Sequence, residues 1–144
     1  MGNLEIQIHR ILERYRSAVL AKDIEGFIRL YSENVRIFDT WETWSYEGRE
    51  AWCNAVEKWF ASLGEETVAV SAEDIRVTGG ADFAIASAIV TYTAVSAAGE
   101  MLRSIQNRLT LALAQNGGDW LIVHEHTSMP LRFDDMRAMP ARAA

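Results

Sequence analysis

The order of elements predicts an α+β domain, with helices gathered on one face of a mostly antiparallel sheet. Three observations carry that prediction. Apolar residues recur at three- and four-residue spacing through the first part of the chain, as on the buried stripe of a helix. From Thr67 onward β-branched and alternating residues replace that period. The alternation breaks at Gly79-Gly80, Gly99-Glu100 and Asn116-Gly117-Gly118-Asp119, where hairpins can turn.

The first helix is read from Leu4 to Val19, where Leu4, Ile8, Ile11, Leu12, Tyr15 and Val19 share one stripe behind Asn3 as N-cap. Asp23 caps a second, shorter helix with Ile24, Phe27, Ile28 and Tyr31 on its stripe. Val35–Asp39 reads as a short strand, and Thr40–Glu47, with Trp41 and Trp44 but no period, as a loop. In a third helix Trp52, Ala55, Val56, Trp59, Phe60 and Leu63 line up before Gly64 stops it. Four strands follow, over 67–77, 83–97, 101–114 and 120–129, and from Pro130 the chain reads as a tail frayed at its end.

The chain has 144 residues, 49% hydrophobic and 24% charged, with a net charge of −6, which describes one globular domain with room for a core and a pocket. The negative balance and the lack of a Lys/Arg cluster argue against nucleic acid or an anionic membrane surface as partner. Phe83 to Ala98 carries no charge but falls short of the roughly 20 residues that span a bilayer. Cys53 is the one cysteine, so no intrachain disulfide forms, and no sequence-near base marks it as a nucleophile. With an acidic residue where a signal peptide would place its apolar run, a cytoplasmic location is expected. No glycine-rich phosphate loop, nucleophile elbow or zinc signature occurs, so no cofactor or metal is expected.

Two strands carry polar residues worth weighing. Along 101–114 the odd positions are mostly large and apolar, and the even ones include Ser104, Gln106, Arg108 and Thr110. That polar face either meets water, the commoner case for an antiparallel sheet, or lines a cavity under the helices. On the last strand strict alternation puts Trp120, Ile122, His124, His126 and Ser128 on one face and Leu121, Val123, Glu125 and Thr127 on the other. His124 and His126 lack an evident third metal ligand, which favours hydrogen bonding as their role. Glu125 on an otherwise apolar face needs a partner, and Arg108 on the preceding strand is the candidate.

These elements, with Arg14-Tyr15, the run Lys22 to Phe27, Leu30 to Val35, Tyr46 to Ala51 and the ending Trp120 to Ser128, resemble the nuclear transport factor two-like superfamily. The ending is similar to that of SnoaL-like and ketosteroid-isomerase-like proteins and of calcium/calmodulin-dependent kinase association domains. The resemblance implies a cone-shaped, cystatin-like fold, three helices on a curved sheet enclosing a pocket. It implies one SnoaL-like domain over 1–130, with 131–144 as tail.

Set against ketosteroid isomerases, Tyr15 matches their oxyanion-hole tyrosine and Asp39 their general-base aspartate, while the strand that should supply a protonated acid reads Ile105-Gln106-Asn107-Arg108-Leu109. The catalytic candidates are therefore Asp39 as base, Tyr15 as oxyanion donor and Arg108 as a cation for an enolate or carboxylate. Trp41, Trp44, Trp59, Gln106, Glu125, His124 and His126 are the ligand-binding candidates. Tyr15 reads equally well as core with its hydroxyl satisfied, Asp39 has a turn residue as its lesser alternative, and Trp52 and Trp59 read more readily as helix-stripe core than as a ligand cage.

Two functions compete. One is an enzyme without cofactor that isomerises, cyclises or dehydrates a small apolar compound bearing a carbonyl or carboxylate. The other is a noncatalytic module that binds a hydrophobic ligand or pairs subunits. A homodimer is expected in either case, because a meander leaves one sheet face uncovered and neither face of the strand from Phe83 is convincingly polar.

Overall fold

The computed structural model describes residues 2–115 and 117–142. Helices α1 (Asn3–Ala21), α2 (Ile24–Ile28) and α3 (Arg49–Ser62) pack against one sheet. Its strands are β1 (Tyr31–Phe38), β2 (Tyr46–Glu47), β3 (Thr67–Gly79), β4 (Phe83–Val95), β5 (Met101–Ala114) and β6 (Leu121–Ser128), in the spatial order β2-β1-β6-β5-β4-β3. All neighbours pair antiparallel except β1 with β6, which run parallel. The predicted α+β class holds, with one strand more than the sequence suggested. Asn116, in the predicted last turn, lies outside the described residues.

The α1 stripe turns Ile8, Ile11, Ala18 and Val19 into the core. Asn3 is the first helical residue, not the cap: Gly2 takes that place without a side-chain bond. Lys22 closes α1 in the left-handed conformation, and Asp23 caps α2 by accepting from the Gly26 N–H at 3.0 Å. α2 then stops early. The Ile122 N–H donates to the Leu30 carbonyl at 2.8 Å, so the chain joins the sheet and Tyr31, expected on the helical stripe, opens β1. Short β2 pairs with β1 inside the segment expected to be loop throughout.

The register shifts at several points of the sheet, and two of those shifts matter most for its shape. In β3 the register slips between Glu73 and Arg76, beside Asp74 in the left-handed conformation. In β6 Ala112 and Leu113 face His124 and Ile122, so Val123 is an extra residue. A bulge bends its strand and re-aims the side chains after it. Ile122 and Glu125 therefore share the inner face, where strict alternation would part them.

The inner face packs Ala84, Ala86, Ala88 and Val90 of β4 and Leu109, Leu111 and Leu113 of β5 beneath the helices. Past β6 the tail does not run free. It bridges Leu131 to Ala138, and Pro140 accepts from the Gln106 backbone N–H at 2.7 Å on the sheet. No helix among the described residues is long and apolar enough to cross a membrane.

Candidate functional site

Between α1, α3 and the inner face lies a cavity of ≈ 520 Å³. Phe27, fully buried, supports its wall: its ring centroid lies 5.2 Å from those of Tyr15 and Tyr31 and 6.3 Å from that of Trp52. Trp59 and Tyr92 meet nearly at right angles on another side, 6.4 Å apart. Such walls favour a flat apolar ligand.

Asp39 follows β1 at the point where Phe38 pairs with His126, which sets Asp39 beside Thr127. The Thr127 hydroxyl donates to Asp39 Oδ1 at 3.1 Å and accepts from the Thr40 N–H at 2.9 Å. Burial pushes the Asp39 carboxyl above the ordinary range, while bonds from Thr127 and from the Trp41 and Thr40 backbone pull it back. Glu125, 3% exposed, accepts from the Tyr31 hydroxyl at 2.6 Å. Burial raises its pKa to about 7, against the lowering effect of the Tyr31 bond and with a further rise from the Asp39 charge.

The Tyr15 and Tyr92 hydroxyls lie 2.9 Å apart. Burial, then the neighbouring acidic groups, holds both well above the ordinary tyrosine range, so both stay protonated. One donates to the other, which leaves one O–H hydrogen of the pair for a ligand oxygen. Asn107, also buried on this wall, has no partner for its side-chain oxygen among the described residues.

The cavity thus brings together Tyr15, Asp39, Trp41, Trp59 and Glu125 of the residues expected at a site. It leaves out the rest. Arg108 pairs with Ser128 and Ile89 on the outer face, where its Nε donates to Ser128 Oγ at 3.1 Å. The expected Arg108–Glu125 pair does not form, since the two side chains lie on opposite faces of the sheet; Tyr31 takes the partner's role. Gln106 is also outside, donating to Thr91 Oγ1 and accepting from the Arg142 N–H. At Arg108 and Thr110 the polar face of β5 is exposed to solvent, the commoner alternative, while Gln106 is met by the tail and Ser104 borders the cavity.

His124 and His126 pack edge-on against Phe38 on that same outer face, and His124 Nδ1 lies 2.7 Å from the Arg36 carbonyl oxygen. The Val123 bulge sets them opposite Glu125 without moving Trp120 and Ile122 along with them. Trp44 is 95% exposed and does not line the cavity, whereas Trp41, at 55%, stands at the mouth. Sequence reasoning missed Tyr31, Tyr92, Asn107 and Thr127. Tyr92 was within reach, because it shares parity with the inner Ala84, Ala86, Ala88 and Val90.

A family model described as SnoaL-like domain matches residues 8–132. No curated protein matches the sequence. Among solved structures, the chain is similar to an NTF2-like protein of unknown function from Pseudomonas putida, 23% identical, covering 98% of this chain and 96% of that one with a TM-score of 0.84. It is similar to Aln2 from a Streptomyces species, 14% identical over 89% and 91% of the two chains, TM-score 0.79. A third, an uncharacterized protein with a cystatin-like fold from Caulobacter vibrioides, is 18% identical over 88% and 89%, TM-score 0.72. At these identities the likeness concerns the fold.

Proposed function

The chain belongs to the SnoaL-like domain family, and from that premise we propose that its cavity carries out acid–base chemistry without a cofactor on a small, apolar carbonyl compound. The observation that supports this reading is the meeting of two carboxylates in unlike environments, Asp39 and Glu125, with a hydroxyl pair on one apolar cavity. Two titratable groups pushed apart by their surroundings can divide the roles of base and acid.

In this reading Asp39, raised by burial as a general base requires and held in place by the Thr127 hydroxyl, takes a proton from the carbon beside the carbonyl. The C–H electron pair moves to form an enolate, and the free O–H of the Tyr15–Tyr92 pair donates to the oxygen that gains charge. In a β,γ-unsaturated ketone the enolate extends over the neighbouring double bond, and return of the proton to the γ-carbon completes an isomerisation. Glu125, which titrates near neutrality, can supply a proton to a leaving hydroxyl where the outcome is dehydration. Arg108 has no part in it.

The test is exchange of the α-hydrogens of neutral cyclic ketones in heavy water, followed by NMR. The native protein accelerates exchange, and Asp39→Asn loses on the order of 100-fold or more of that rate while keeping its circular dichroism spectrum. Equal rates in the two proteins would end the assignment. Saturable binding without exchange across the panel would favour the noncatalytic binding module.

A further inference from the structure

The charges around the cavity are unequal in their freedom. Asp39, Glu42 and Glu125 line it, and Arg103 is the one cation that does so among the described residues. Arg103 stands where β5 pairs with Ala94, on the inner side of the sheet near the mouth. Its guanidinium is already held: one terminal nitrogen donates to Glu66 Oε1 at 2.6 Å. Glu66 itself lies off the cavity wall, in the turn between α3 and β3. A carboxylate-bearing ligand would therefore meet acidic groups, with the one lining cation among the described residues neutralised from behind.

We propose that the cavity selects uncharged carbonyl compounds over carboxylates, and that the Glu66–Arg103 pair at its mouth sets this selection. The inference rests on the reading of the cavity as the ligand site and narrows the substrate class within it. Selection here works by repulsion: an anion loses water on entering and gains no free donor cation. Arg103 is more than half exposed and so is screened by water, but it lines the same cavity as Tyr92, standing two residues along β5 from Ile105, the residue that pairs with Tyr92. Freed from Glu66, the same guanidinium has the fork geometry that binds a carboxylate. Glu66 is thus a specificity-determining residue that touches no ligand.

The probes are 2-acetylnaphthalene and 2-naphthoate, which share a ring system and differ in charge, with binding read by calorimetry. The native protein binds the ketone about tenfold or more tighter than the carboxylate. Glu66→Gln strengthens naphthoate binding by about tenfold, leaves the ketone unchanged, and loses the gain when Arg103→Gln is added. Naphthoate binding the native protein as well as the ketone overturns the proposal, as does a Glu66→Gln protein with unaltered naphthoate affinity, or no binding of either probe. Binding and exchange separate the two readings. A ketone bound selectively but never exchanged counts against the proposed chemistry alone, and exchange without charge selection counts against this inference alone.

Discussion

Glu125 shows how one residue couples the site to the stability of the fold. Its folded pKa of about 7 lies above the ordinary 4.5, so between those values the folded chain holds a proton that the unfolded chain has released. The stabilising contribution is complete below about pH 4.5, falls as pH rises through that window, and is lost above about pH 7. The shift corresponds to roughly 3 kcal/mol. Urea titrations at pH 5 and pH 8 should show the native protein more stable at the lower pH, and Glu125→Gln should remove most of that difference. Tyr31→Phe acts the other way on the same group: without its donor the Glu125 carboxyl titrates higher still, which carbon-13 NMR of labelled glutamate would read. Neither the value nor the partner could be read from the residue's position in the chain. Only the two-residue alternation around Glu125 was legible, and it flagged the carboxyl as an anomaly but assigned it to Arg108.

At the scale of elements, local signals hold where a stripe or a cap decides the structure. Asp23 is an example, since its acceptor satisfies an N–H that begins a helix wherever the rest of the chain goes. Asp23→Ala should lower stability by about 1 kcal/mol in urea unfolding with ketone binding unchanged. Signals fail where pairing decides. α2 ends at Ile28 because β6 takes up the Leu30 carbonyl, and β2 forms because β1 offers it an edge. The Val123 bulge is the costliest omission. One extra residue in β6 sends His124 and His126 outward while Ile122 and Glu125 stay inside, and no turn residue or glycine announces it.

Across the whole molecule, helices cover only one face of the sheet. The outer face keeps Phe83 and Ile85 about half exposed at one end of β4. Toward the other side the tail crosses it, with Arg142 reaching Glu73 on β3 at 2.7 Å and Gln106 on β5. A second copy covering the bare end remains our proposal for the assembly. Sedimentation at micromolar concentration should give a dimer, and Ile85→Asp should shift it to monomer by placing a charge in an apolar contact. A native monomer would refute it.

The sequence by itself determined the α+β class, the cap of α2 and the buried faces of α1 and α3, which follow from periods of 3.6 and 2 and from short-range hydrogen bonding between residues close in the chain. Asp39 and Tyr15 were singled out by the family resemblance and not by any period. The tertiary structure alone decided which side of β5 and β6 faces inward, that Tyr31 and not Arg108 meets Glu125, and that Tyr92 joins Tyr15. It also decided that Arg103 is spoken for by Glu66. Each of those joins side chains from distant parts of the chain across a strand register, and register is settled by the packing of the whole inner face, so a slip of one residue reverses every side chain beyond it.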